Sequence, residues 1–187
     1  KSPHTDLFPP QAELLAQGFR ESQDNWVICA PTGAGKTLMA EWALEDSLNK
    51  GLRCAYLAPL KAIVDERLED WRTRFAETEV GLFTGDTPRS GAGRAPDKQR
   101  LLLFTPEKLA AYLGNWKKHL PWLAELDAVV IDELHLLGDT NRGATIEALT
   151  GRLQRINPFV RFVGLSGTLS NAEDVARWLK ARLYVSE

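Results

Sequence analysis

Two short stretches carry side chains suited to phosphate chemistry. In Ala30-Pro31-Thr32-Gly33-Ala34-Gly35-Lys36-Thr37, two glycines precede a lysine and a threonine. Gly33 and Gly35 permit φ values and close backbone approach that a Cβ would obstruct. The backbone N–H groups of Thr32, Gly33, Ala34 and Gly35, with the positive end of a following helix, can then surround an anion. Lys36 would reach β- and γ-phosphates, and Thr37 would place its hydroxyl on Mg²⁺. The usual pattern opens with glycine where this chain has Ala30, which fits provided its φ is negative. The second stretch is Asp132-Glu133, directly after the apolar run Ala128-Val129-Val130-Ile131. The glycine loop supplies no carboxylate for a metal, so a neighbouring strand must. Asp132 would hold Mg²⁺ through its waters, and Glu133 would orient and deprotonate an attacking water. Asp-Glu after a strand is by itself often a solvated turn; paired with the glycine loop upstream it describes a nucleoside triphosphate site.

The flanking sequence provides the elements that such a site needs. Trp26-Val27-Ile28-Cys29 reads as a buried strand ahead of the loop, and Leu38 to Leu44 as a helix with an apolar face behind it. Further strands are expected at 54–58, 80–83, 101–104, 128–131, 161–165 and 183–185. Helices are expected at 11–19, about 62–75, from Pro106 with Thr105 as N-cap, at 143–156 and at 171–179. Trp116 to Trp122 reads as a connection, its tryptophans either packing onto the core or stacking bases beside Lys117 and Lys118. Residues 87–99 form a loose stretch with Arg89, Arg94 and Lys98, read as a solvated loop or as a basic flap. Strands alternating with helices imply an α/β fold: a mostly parallel sheet with helices on both faces.

One short helix ahead of the loop stand Phe8 and Gln11. A glutamine amide offers a donor and an acceptor side by side, matching the N6 and N7 edge of adenine, and Phe8 could stack on the same base. The ordinary alternative is an exposed helix-start glutamine and a core-anchoring phenylalanine; nearness to the glycine loop favours base recognition. Length and composition set outer limits. The 187 residues suit one domain, 44% hydrophobic residues suffice for a full core, and a net charge of −2 argues against wholesale coating of nucleic acid. No stretch approaches a membrane span, and the first six residues lack the apolar run of a signal peptide. Cys29 and Cys54 fall within strands and form no CxxC pair, as in the core of a cytoplasmic protein (or a nuclear one, in a eukaryote). The three histidines are scattered, so no zinc cluster is expected.

Taken in order, Pro10-Gln11, the glycine loop, Ala58-Pro59-Leu60-Lys61, Thr84-Gly85-Asp86, Thr105-Pro106-Glu107-Lys108, Asp132-Glu133-Leu134-His135 and Ser166-Gly167-Thr168 resemble the first RecA-like, P-loop NTPase domain of superfamily-two DExH-box helicases. The likeness is to the Ski-like branch, and within it to archaeal-type DNA repair helicases; Arg142-Gly143 and Glu147 look like what that branch carries after its DExH box. The resemblance covers nearly the whole chain. It implies ATP and Mg²⁺ as cofactors and single-stranded nucleic acid as partner, DNA in preference to RNA. It implies strand contacts at Lys61, Thr84, Gly85, Thr105 and Pro106, and coupling of nucleotide state to strand binding through His135, Ser166 and Thr168. The chain departs from the family's Ser-Ala-Thr at Gly167, and a glycine there loosens the turn. A helicase motor also needs a second RecA-like domain bearing an arginine finger, so slow hydrolysis is expected of this domain without it. Other readings of the same motifs are a nucleic-acid-stimulated ATPase subunit of a nuclease or restriction system, a non-enzymatic ATP-dependent clamp, and an unrelated P-loop ATPase. The intact Lys36, Thr37, Asp132 and Glu133 disfavour the clamp, and Gln11 with Thr105-Pro106 disfavours the unrelated ATPase.

Overall fold

The computed structural model describes residues 7–76, 78–85, 96–135, 140–167 and 169–186, with backbone alone at 140–142. Its strands are β1 (Asn25–Cys29), β2 (Arg53–Leu57), β3 (Val80–Phe83), β4 (Leu101–Phe104), β5 (Leu126–Ile131), β6 (Arg161–Ser166) and β7 (Ala181–Val185). They form a sheet in the order β3-β4-β2-β5-β6-β1-β7, and every pairing is parallel. Their helices are α1 (Pro9–Ala16), α2 (Lys36–Asn49), α3 (Lys61–Arg74), α4 (Pro106–Gly114), α5 (Trp116–Ala124), α6 (Thr140–Ile156) and α7 (Ala172–Leu179). Parallel strands need crossovers, and the crossovers put helices on both faces.

The period of two in each strand separates two cores. Trp26, Ile28, Tyr56, Val130 and Leu165 point to one face and pack with residues of α1, α2 and α3. Val27, Leu57, Val129, Ile131 and Phe162 point to the other and pack with residues of α4 to α7. Strands buried on both sides read as continuous apolar runs, which is why they were legible. Cys29 and Cys54 are free and buried among them, and burial pushes both thiols up.

Some boundaries differ from the sequence expectation. α1 begins at Pro9 and gives way to a turn in which Gly18 takes φ +79°; two prolines fit a first turn, where N–H groups have no partner anyway. This places Gln11 in the first turn of α1. The stretch Trp116–Ala124 is a helix despite Pro121. Pro121, the sixth of its nine residues, removes one backbone N–H from the helix's hydrogen-bond ladder. Trp122 lies flat on Phe104 at 6.0 Å and edge-on to Tyr112 at 5.6 Å, and this packing holds the segment helical. Trp122 is therefore core, whereas Trp116 is exposed. α6 starts at Thr140, so Arg142 lies within its first turn. The basic residues Arg89 and Arg94 lie outside the described residues, as does Asp86. Among the described residues no helix is long and apolar enough to cross a membrane.

Candidate nucleotide site

The C-terminal ends of β5, β6 and β1 lie side by side, and each carries one of the stretches singled out above. In an open parallel sheet this edge is where ligands meet the strands. β6 lies between the other two, so the glycine loop and Asp132-Glu133 stand about two strand spacings apart, roughly 10 Å. Ser166 closes β6 between them. Its carbonyl accepts the Ala30 N–H at 3.1 Å, while its hydroxyl is fully buried and has no hydrogen-bond partner among the described residues.

The glycine loop leaves β1 and enters α2 at Lys36. Gly33 and Gly35 take φ +87° and +78°, whereas Ala30 is not among the positive-φ residues, so alanine is accommodated where the pattern has glycine. A Cβ at Gly35 would stand 2.0 Å from Gln11 Nε2 and 3.3 Å from Phe8 Cδ2. Lys36 Nζ donates to the carbonyls of Ala30 (2.8 Å) and Pro31 (3.0 Å). The ammonium is thereby folded back over its own loop, where a phosphate would compete for it.

Gln11 is buried and already engaged. Its Oε1 accepts the Phe8 N–H at 3.0 Å, and its Nε2 donates to the Gly35 carbonyl at 3.2 Å. α1 is thus fastened to the glycine loop by this amide. One N–H and one lone pair remain on it, since an amide offers two of each. Phe8 is more than half exposed beside it.

Asp132 is held by both carboxylate oxygens. Oδ2 accepts the Tyr56 hydroxyl of β2, and Oδ1 accepts the Glu133 N–H at 2.9 Å. The Asp132 N–H in turn donates to Leu57 O at 2.8 Å. Glu133 sits at φ +53°, one of two described non-glycine residues with positive φ. Such a conformation costs about 1–3 kcal/mol and persists where its surroundings impose it. Here the anchor is Leu134, fully buried, whose Cδ2 would stand 2.3 Å from a Cβ at Gly164. Gly164 thus makes the hollow that seats the Asp132–His135 turn on β6. His135 Nδ1 lies 3.2 Å from Glu133 Oε2. Tyr56, Leu134 and Gly164 were not singled out from sequence; a glycine inside a strand signals close approach, but nothing in the chain says what approaches it.

The positions expected to contact a nucleic-acid strand lie at neighbouring strand ends. Lys61, the first residue of α3, and Gly85 are exposed, whereas Thr84, Thr105 and Pro106 are buried. Thr105 takes the N-cap position without a side-chain cap bond, and Pro106 opens α4. Thr168 lies outside the described residues. Gly167 has no positive φ, and a Cβ there would meet nothing within 4 Å among the described residues, so the backbone does not demand glycine.

The donor set can be weighed against Mg²⁺. Among the described residues no three His, Cys, Asp or Glu side chains cluster as a metal cage. One carboxylate and one hydroxyl, both hard oxygen donors, suit an ion that keeps most of its waters and binds through phosphate.

Comparison with known proteins agrees with this geometry. The chain is 34% identical to an ATP-dependent DNA helicase Hel308 of Methanococcus vannielii over 97% of its own length, 35% to that of Methanocella arvoryzae over 97%, and 36% to that of Pyrobaculum calidifontis over 96%. It spans about a quarter of the length of these relatives (24%, 25% and 25%). Residues 8–175 match the family model described as DEAD/DEAH box helicase. With that match and a parallel RecA-like sheet that brings the glycine loop and Asp132-Glu133 to one edge, the chain belongs to the DEAD/DEAH box helicase family.

Proposed function

We propose that this chain is the ATP-binding and hydrolysing half of an ATP-dependent DNA helicase or translocase. The observation that carries the reading is the convergence of Lys36-Thr37, Asp132-Glu133 and Ser166 on one edge of the sheet. The identity to DNA helicases over nearly the whole chain supports DNA as the nucleic acid.

In this reading Lys36 leaves the Ala30 and Pro31 carbonyls and binds the β- and γ-phosphates, while Gly33 to Gly35 present backbone N–H groups to them. Thr37 and Asp132 would hold Mg²⁺, which when bound neutralises charge developing on the phosphates. Glu133 takes a proton from the attacking water, its carboxylate oriented by His135 Nδ1 and by the fixed turn at φ +53°. Phe8 and the remaining amide valences of Gln11 recognise adenine. GTP, which offers O6 in place of an N6 donor, should therefore bind more weakly.

Lys61 and Gly85 would meet phosphates of a single strand directly. Buried Thr105 and Pro106 would contribute through the first turn of α4, and buried Thr84 through the backbone that follows β3, in place of their side chains. Contacts of this kind carry no sequence information, and few charges make the salt dependence shallow. Ser166, Thr168 and His135 would couple nucleotide state to strand binding once a second RecA-like domain closes on this edge. Relatives about four times as long leave room for that domain elsewhere in the parent protein. We place the protein in the cytoplasm, or the nucleus of a eukaryote, and the free buried cysteines support a reducing compartment.

The test is paired. Lys36→Ala should weaken ATP binding about 10–100-fold, the worth of a charge-assisted contact to phosphate. Glu133→Gln should bind ATP normally and, in the parent protein, lose hydrolysis about 10²–10⁴-fold. Normal hydrolysis by Glu133→Gln would remove its assignment as the base.

A further inference from the structure

The Asp132 carboxylate does not face its metal role unaided. Tyr56 comes from β2, the strand beside β5, at the register position Tyr56↔Val130. Its ring is buried, yet its hydroxyl reaches Asp132 Oδ2. The ring is fixed in turn: it stands edge-on to Trp71 of α3, centroids 4.8 Å apart at 80°. Trp71 donates its indole N–H to Glu41 Oε1 of α2 at 2.9 Å, and Glu41 Oε2 lies 2.7 Å from Arg74 Nε. Burial and the Asp132 charge both push the phenol up, with Arg67 of α3 opposing.

Resting on the proposed function, we infer that Tyr56 is a positioning residue for the Mg²⁺-holding carboxylate: its hydroxyl fixes the rotamer of Asp132, and Glu133 N–H fixes the other oxygen. A carboxylate held at both oxygens keeps one further lone pair on each for the waters of a metal. A carboxylate free to rotate must be ordered each time the metal binds, and outer partners of this type are worth about 10–100-fold in metal affinity or activity. The same bond joins Asp132 to α3, whose first residue is Lys61, and through Glu41 to α2, whose first residues are Lys36 and Thr37.

The test is binding of a fluorescent ATP analogue to this chain, with and without Mg²⁺. Tyr56→Phe should leave affinity in excess EDTA unchanged and raise the Mg²⁺ concentration needed for tight binding about tenfold. In the Asp132→Asn background the same change should add nothing, because its effect passes through that carboxylate; a merely structural role would give the same loss in both backgrounds. Equal Mg²⁺ requirements in Tyr56→Phe and wild type, with Asp132→Asn impaired, would overturn the inference while sparing the proposed function. Absence of any Mg²⁺-dependent binding by the wild type would overturn both. Should Tyr56→Phe not fold, 3-fluorotyrosine in the unmutated chain, which has three tyrosines, gives a second readout. The Tyr56 fluorine should shift on adding Mg²⁺ to the ADP complex and not on adding ADP, and an unmoved signal would overturn the inference.

Discussion

At the N-terminal ends of the strands, polar side chains are bonded to the backbone of the loops beside them. Asn157 Nδ2 donates to the carbonyls of Leu123 (3.3 Å), Ala124 (3.3 Å) and Leu126 (2.7 Å). Arg161 donates to Asp24 O (3.0 Å) and Phe19 O (2.6 Å), its guanidinium 4.8 Å above the Phe19 ring. Arg53 donates to Pro96 O and Asp97 O, and Asn25 bridges Leu179 O and Phe162 N. At the C-terminal ends the pattern is incomplete. There, among the described residues, Lys36 has only carbonyls of its own loop and Ser166 Oγ has no partner, and Glu133 takes φ +53° outside any helix end. Both edges tie polar groups to loops, Gln11 and Asp132 among them at the C-terminal edge, but there a buried hydroxyl stays without a partner among the described residues and an ammonium rests on carbonyls that a phosphate could displace. Natural proteins break local rules of this kind where a ligand is to be met.

The contrast predicts that variants at the two edges separate stability from nucleotide binding. The largest expected effect on stability is at the N-terminal edge. Asn157→Ala leaves three carbonyls short of a donor and should cost about 3 kcal/mol in urea denaturation. Affinity for an ATP analogue should stay within twofold. A loss of affinity larger than the loss of stability would break the division between the edges.

An intermediate effect is expected where the two functions meet. Gly164→Ala drives a Cβ to 2.3 Å from Leu134 Cδ2, so Leu134 must move and carry the Asp132–His135 turn with it. The overpacking should cost about 2 kcal/mol, and Mg²⁺-dependent nucleotide binding should weaken as well. Destabilisation with unchanged Mg²⁺ dependence would show that the turn keeps its place without this seat.

How much of this could be read in the sequence follows from what each feature depends on. The strands are apolar runs, and the glycine loop is a contiguous pattern, so both were legible locally. α5 was not, because Pro121 signals a break and the packing of Trp122 on Phe104 comes from a segment distant in the chain. Tyr56 and Gly164 lie in strands that were expected, but their roles depend on β2 and β6 flanking β5, and strand order leaves no local trace. Gln11 was expected to read a base from its position; that its amide fastens α1 to Gly35 depends on a contact 24 residues away.

The smallest effect belongs to Ser166. Its hydroxyl is fully buried without a partner among the described residues, and a buried hydroxyl with no hydrogen bond carries a desolvation cost that alanine does not. Ser166→Ala should therefore leave the denaturation midpoint unchanged or raise stability by up to about 1 kcal/mol. That is the opposite sign to Asn157→Ala, although both remove a buried polar side chain at a strand end. If Ser166 serves coupling, the same variant should bind nucleotide normally here and lose DNA stimulation of hydrolysis in the parent protein. A destabilisation of 1 kcal/mol or more would mean that this hydroxyl is satisfied in the resting domain, and the contrast between the two edges would then rest on Lys36 and Glu133 instead.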